Sequence, residues 1–262
     1  MFERCVIALI VGFVLPCFPA TAQPSDAEAA IARVKPSVVA VGTYERTRSP
    51  AFQFMGTGFV VGDGTLVVTN AHVLPASVDA DRRERLAILI PATRRIELEG
   101  MKVEVREAHA LARDASHDLA ILRVEGAPLP ALTIGDSTLV REGRSVYFTG
   151  FPIGSVLGAY AATHRAIVAA ITPIAIPQRR AAELDAATAR RLSSGAFPVF
   201  QLDGTAYPGN SGSPVYDAGG AVIGVVNMVL VRATKESLLS QPSGIAYAIP
   251  AEHLRALLAT VK

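Results

Sequence analysis

The sequence predicts an all-β fold of the barrel or sandwich kind, and three observations carry that prediction. The 262 residues are 50% apolar and 18% charged, enough to bury one or two cores and too apolar for a disordered chain. Short β-branched runs follow one another closely, separated by Gly, Asp and Pro turns. Helical character is confined to a short segment near the start, an insert and a closing stretch.

Met1 to Ala22 carries Glu3 and Arg4, then the apolar stretch Cys5 to Leu15, Pro16 and the small-residue ending Ala20-Thr21-Ala22. This is the pattern of a secretory signal peptide cleaved after Ala22. Its apolar core is shorter than the roughly 20 residues of a membrane-spanning helix. Pro16 directly before Cys17 fits a lipid-attachment cysteine poorly. Cys5 and Cys17 both leave with the segment, so thiol catalysis, thiolate metal sites and disulfides are not expected in the mature chain.

A polar leader over residues 23–36 should hold a short helix from Asp26 to Val34, stopped by Pro36. Strands are expected at Ser37 to Thr43, Gly58 to Gly62, Leu66 to Thr69, Leu86 to Ile90, Arg95 to Val105 and Leu119 to Val124, with Gly62-Asp63-Gly64-Thr65 as a hairpin turn. Gly126 to Arg144, with Pro128, Pro130 and Gly135-Asp136-Ser137, reads as a connection, dividing the chain into units at 37–135 and 136–250. Strands then follow at Ser145 to Gly150, Ala166 to Ile171, Val199 to Leu202, Ser213 to Tyr216, Ala221 to Val229 and Ala246 to Ile249. Gln178 to Ser193, after Pro177 and before Gly195, predicts a helix inserted in a loop, and Ala251 to Val261 an amphipathic closing helix within 251–262.

Charge narrows the partners. Lys plus Arg at 25 against Asp plus Glu at 23 leaves +2, too balanced for a chain that grips nucleic acid or anionic membranes. No run after the first segment is long enough for stable membrane insertion.

Three clusters carry chemistry: Thr69-Asn70-Ala71-His72-Val73-Leu74, Asp114-Ala115-Ser116-His117-Asp118-Leu119-Ala120-Ile121-Leu122 and Tyr207-Pro208-Gly209-Asn210-Ser211-Gly212-Ser213-Pro214-Val215. A serine hydroxyl needs a base whose pKa lies near neutrality, and a neutral imidazole meets that need. His72 is the candidate base, Asp118 the carboxylate that fixes its tautomer, and Ser211 the nucleophile. Gly209 and Gly212 permit a tight turn in which backbone N–H groups converge, so Gly209 and Ser211, with Asn210 beside them, are the candidate oxyanion donors. An α/β-hydrolase would want G-x-S-x-G and a helix after the serine. Ser213 replaces the last glycine, and Pro214-Val215-Tyr216 reads as strand, although Asp217 and His253 could formally complete its order. His117 beside Asp118 has no second ligand cluster, so neither metal nor other cofactor is expected.

The TNAHVL, DLAIL and GNSGSP segments resemble the trypsin-like (chymotrypsin-fold) serine endopeptidases, in the bacterial branch with Deg/HtrA-type proteases and glutamyl endopeptidases. The resemblance runs from about Val38 to Pro250. It implies two six-stranded Greek-key β-barrels with the site between them, His72 and Asp118 from the first and Ser211 from the second. Gly244 to Pro250 is similar to the last strand of the Deg/HtrA protease domain; the PDZ domain that commonly follows in those proteases is not expected here. The acid that precedes the serine in digestive members is Asn210 here, so zymogen activation through an ion pair there is not expected. The pocket His and Thr of glutamyl endopeptidases align with Val226 and Ala206. A pocket walled by Thr205, Ala206, Val226 and the run Asn227, Met228, Val229 and Leu230 should then favour small or aliphatic P1 residues of a polypeptide substrate. The insert at 178–193 falls where that group has a regulatory loop. The alternative is a latent or non-catalytic protein-binding member of the same fold, which would have no reason to keep all three catalytic positions.

Overall fold

The computed structural model describes residues 26–91, 104–154, 158, 160–174, 197–227 and 244–261. Six strands close the first barrel: β1 Val38–Tyr44, β2 Phe52–Val61, β3 Leu66–Asn70, β4 Arg85–Ile90, β5 Glu104–Asp114 and β6 Leu119–Val124. Six more close the second: β7 Ser145–Gly150, β8 Ala162–Ile174, β9 Phe197–Asp203, β10 Pro214–Tyr216, β11 Val222–Val226 and β12 Ile245–Pro250. The strand order is β1-β2-β3-β6-β5-β4 in the first barrel, and β7-β8-β9-β12-β11-β10 repeats it in the second. Helix α1, Asp26–Val34, precedes the barrels and helix α2, Ala251–Leu258, follows them.

Both faces of the central strands are apolar because both are covered. Val39, Val41, Val60, Val67, Ile88 and Leu122 fill the first barrel. Their neighbours Val38, Ala40, Phe59, Val61 and Ile121 point outward and share a core with Tyr147, Tyr216 and Ile249 of the second barrel. That doubly buried arrangement explains the near-continuous runs of Val, Ile and Leu where a half-exposed strand would alternate. Each terminal helix crosses to the opposite barrel. Ala30 and Val34 of α1 are buried, and Arg33 and Val34 pack on Gly220 in the β10–β11 turn. Leu254 and Leu257 of α2 join the shared core, with α2 lying on β5 and β6.

Strand boundaries depart from expectation at several places. The strand expected at Gly58 begins at Phe52, pairing Tyr44 with Phe52 across the hairpin. Gly56 and Gly58 are packing positions: a Cβ at Gly58 would meet the Val41 and Val67 methyls at 2.8 Å. β5 runs to Asp114, beyond the expected end at Val105, through a half-exposed and largely polar stretch; of the strand expected at Arg95 to Val105, residues 95–103 lie outside the described residues. β11 ends at Val226, so Asn227 is not part of the strand expected to Val229. The helix expected at 178–193 lies outside the described residues. Between the barrels, Leu132 bridges to Val61 and Ile134 to Val222, so the 126–144 connection touches both.

The β1–β2 hairpin is tied to the loop before β4 by one carboxylate. Glu84 accepts from Thr43 Oγ1 (2.6 Å), Arg48 Nη1 (2.7 Å) and the Asp79 N–H (3.1 Å). Those bonds, the Thr43 hydroxyl foremost, pull its pKa from 4.5 to about 2. A folded-state pKa below the unfolded one stabilises above the unfolded value and is lost as pH falls through the folded one. Glu84→Gln is therefore expected to cost about 2 kcal/mol at pH 6, allowing for solvent screening, with the difference from wild type shrinking as pH falls from about 4.5 and reduced to a minor fraction by about pH 2. Urea midpoints at the two pH values measure it.

Candidate active site

The β3–β6 pairing builds one side of the site. Asn70 at the end of β3 lies opposite Leu119 at the start of β6, so His72 and Asp118, just beyond those ends, are brought together by strand register. His72 sits in a 3₁₀ turn, Ala71–Val73. Asp118 is 5% exposed, and its φ of +52° is a left-handed conformation that aspartate tolerates. Its carbonyl accepts from the Ala71 N–H at 3.1 Å and Asn70 Nδ2 at 3.0 Å. Its carboxylate accepts the His72 N–H at 2.8 Å on Oδ1 and is hydrogen-bonded through Oδ2 to His72 Nδ1. Arg113 Nη2 adds a bond to the Ala71 carbonyl at 2.9 Å, strapping the turn from β5.

Because the carboxylate only accepts, the ring proton belongs on Nδ1, which leaves a lone pair on Nε2. Nε2 lies 2.9 Å from Ser211 Oγ, which the second barrel contributes from the turn between β9 and β10. The three residues from three separated clusters thus form one continuous line across the interface of the barrels.

The turn that carries Ser211 is fixed peptide by peptide. The Pro208 carbonyl accepts from the Ile153 N–H at 2.7 Å, and the Gly209 carbonyl from Thr57 Oγ1 at 2.7 Å. The Asn210 carbonyl accepts from the Ser213 N–H at 3.0 Å, and the Ser211 carbonyl from the Thr57 N–H at 2.9 Å. Each peptide plane is therefore held at its oxygen. On the nitrogen side, Gly212 donates to Val226 at 3.0 Å and Asn210 to Tyr207 at 2.9 Å. The N–H groups of Gly209 and Ser211 have no acceptor among the described residues. The Asn210 N–H, expected beside them as a donor, is consumed inside the turn and drops out. Gly209 has φ +103° and a Cβ there would stand 2.3 Å from the Phe151 carbonyl, so this position requires glycine.

The expected pocket residues divide. Thr205 is half-buried, while Ala206 and Val226 are buried in the second barrel's apolar interior. Asn227, expected in the pocket wall, instead donates from Nδ2 to Asp118 Oδ2 at 2.8 Å. It crosses from the second barrel to the carboxylate of the first. Met228, Val229 and Leu230 lie outside the described residues. Among the described residues no group of His, Cys, Asp and Glu is placed to hold a metal ion.

Sequence reasoning missed Thr57 and Ile153. Thr57 uses its N–H and hydroxyl to grip the serine turn, its hydroxyl also accepts from the Phe151 N–H at 3.1 Å, and its carbonyl accepts from Thr69 Oγ1 at 2.7 Å. A polar residue between two packing glycines in an apolar strand was the available signal. Ile153 is a β-branched residue at φ +51°, a conformation with no sequence signature.

Comparison with known proteins bears on the family and the fold. The family model of the trypsin-like peptidase domain matches residues 56–225. Mitochondrial serine protease HTRA2 of Bos taurus is 34% identical over 204 residues, covering 78% of this chain and 35% of the relative. A probable periplasmic serine endoprotease, DegP-like, of Ectopseudomonas mendocina is 29% identical over 201 residues, covering 76% of this chain and 33% of the relative. The chain thus spans about a third of the length of these curated relatives. A solved HtrA-type protease AlgW with a tripeptide has a similar fold, with TM-score 0.60 and 22% identity over 91% of this chain and 64% of that one. With residues 56–225 matched and both barrels closed, the chain belongs to the trypsin-like peptidase family, and its relatives are of the HtrA/DegP type.

Proposed function

We propose that this protein is an exported serine endopeptidase acting through Ser211, His72 and Asp118. The observation that carries the reading is the line from Asp118 through His72 to Ser211 Oγ, ending beside two unclaimed N–H groups. As Ser211 Oγ bonds to the substrate carbonyl carbon, its proton passes to His72 Nε2, and the imidazolium is stabilised by the Asp118 carboxylate. The carbonyl oxygen becomes an oxyanion facing Gly209 and Ser211 N–H. Collapse breaks the C–N bond while His72 gives its proton to the leaving amine. Water then repeats the sequence on the acyl-enzyme, releasing the acid and restoring Ser211.

The pocket reading is a preference for small or aliphatic P1 residues; of its residues Thr205 is half-buried, Ala206 and Val226 lie in the apolar interior of the second barrel, and Met228, Val229 and Leu230 lie outside the described residues. Asn227 is assigned to the Asp118 carboxylate and not to the pocket. A polypeptide substrate is supported by the tripeptide and decapeptide in the AlgW structures. Export to the periplasm or beyond is supported by the leader at 1–22 and by the DegP-like relatives whose names place them there. The functional units assigned are 37–135, bearing His72 and Asp118, and 136–250, bearing Ser211.

A fluorophosphonate probe should label the wild-type protein, and a peptide library read by mass spectrometry should report cleavage after Ala, Val, Leu or Ile. Absence of labelling, with or without added unfolded protein, overturns the hydrolase reading. Predominant cleavage after Glu, Lys or Arg overturns the pocket.

A further inference from the structure

Behind the turn that carries Asp118, two further imidazoles are packed face to face. His117, the residue before Asp118, stacks on His253 of α2 with ring centroids 3.9 Å apart and planes 20° from parallel. Phe197, the first residue of β9, meets both rings edge-on at 4.7 and 5.0 Å. Three elements therefore converge on one cluster: the β5–β6 turn of the first barrel, the helix after the second barrel, and the entry to β9.

The polar partners are unequal. His117 Nδ1 lies 2.6 Å from Asp114 Oδ2, and Asp114 Oδ1 also accepts the N–H groups of Ser116 and His117. His253 Nε2 is buried with no hydrogen-bond partner among the described residues; Glu252 Oε1 is 3.9 Å away. Among the described residues, the charged or titratable groups facing His253 are His117 from the turn, Asp114 from β5 and Glu252 from α2. Phe197 brings none, Arg113 directs its guanidinium to the Ala71 carbonyl, and Asp118 turns its carboxylate to His72.

We propose that His253 is a positioning residue for the triad: its stack on His117 holds the Asp118-bearing turn, and protonation of His253 releases that hold in acid. The proposal rests on the reading that Asp118 orients His72. The chemistry is that of two like groups in contact. Neutral rings stack without electrostatic cost, whereas two imidazolium ions at this separation repel and a buried cation at His253 lacks an acceptor. Burial first, then the neighbouring His117, holds the His253 pKa below its ordinary 6.5. The folded state thus prefers the neutral ring. Its contribution to stability is complete above pH 6.5 and is lost as pH falls below that value toward the folded-state pKa.

The test uses the full chain. In the Ser211→Ala background, thermal midpoints are measured from pH 7.5 to 5.0 for the parent, His253→Phe and His253→Ala. His253→Phe keeps a ring against His117 and cannot be protonated, so its midpoint should fall less over this range than the parent's. His253→Ala should start lower. In the active protein, His253→Ala should lower kcat about tenfold with KM within about twofold, and His253→Phe should restore kcat to within about twofold and extend activity to lower pH. Parallel midpoint curves for parent and His253→Phe overturn the acid release. An unchanged kcat in His253→Ala overturns the positioning role. Failure of the hydrolase reading would appear separately, as an unlabelled wild-type protein, while the midpoint comparison in Ser211→Ala stands on its own.

Discussion

Ser211→Ala is expected to abolish fluorophosphonate labelling and to lower kcat by roughly 10⁴- to 10⁶-fold, with circular dichroism and thermal midpoint close to wild type. The methyl side chain fits the turn, because each of its peptide planes is held by bonds that do not use Ser211 Oγ. Only the bond from Oγ to His72 Nε2 is removed. Residual turnover should persist above the water rate, since the Gly209 and Ser211 N–H groups remain to polarise a bound carbonyl. His72→Ala should cost a similar factor, and the double variant little more than either alone, because the two side chains act as one unit. Single-turnover rates on a fluorogenic peptide measure all three. Retention of wild-type kcat in Ser211→Ala would place the chemistry elsewhere.

Asp118→Asn should cost about 10⁴-fold in kcat at neutral pH while leaving KM within a few-fold. The carboxylate now accepts from the His72 N–H, from His72 Nδ1 and from Asn227 Nδ2. An amide can satisfy at most part of that set. If its NH₂ takes the Oδ2 position, it faces both His72 Nδ1 and Asn227 Nδ2, so it forces the ring proton onto Nε2, where it blocks acceptance from Ser211, and it opposes the Asn227 amide. If the amide is reversed, its NH₂ opposes the His72 N–H at the Oδ1 position. Asn227→Leu alone should reduce kcat, because the carboxylate then loses one of the donors that hold it. A pH–rate profile and one-dimensional NMR of the Nδ1 proton test the tautomer directly. An Asp118→Asn protein with wild-type kcat would remove Asp118 from the mechanism.

Much of the site was legible because its residues sit where local signals are strong. His72 directly follows an apolar strand, Asp118 directly precedes one, and Ser211 lies in a turn marked by two glycines. Those signals survive folding because the β3–β6 register carries the first two together. What could not be read depends on contacts between barrels. Asn227 follows the buried β11 and looks like pocket wall, but its amide reaches the first barrel, a direction fixed by how the barrels pack and not by neighbours in sequence. Thr57 is hidden for the same reason. The loss of Asn210 as an oxyanion donor follows from one i to i−3 bond to Tyr207 that composition does not reveal. The run of β5 on to Asp114 was not read because its polar residues lie on a half-exposed strand, where apolar periodicity has little to report.

The crossing of the two terminal helices has a consequence for the order in which activity arises during synthesis. The first barrel, with His72 and Asp118, is translated before the second, yet the part of its surface that α2 covers stays bare until residue 258 has been made. The second barrel in turn receives α1, which was made first and must wait for the β10–β11 turn. A nascent chain that stops short of α2 would carry exposed Ile, Val and Phe surface and an unsupported Asp118 turn, a state prone to association rather than cleavage. Assembly of this fold therefore leaves the core shared by the two barrels incomplete until nearly all of residues 26–258 have been delivered.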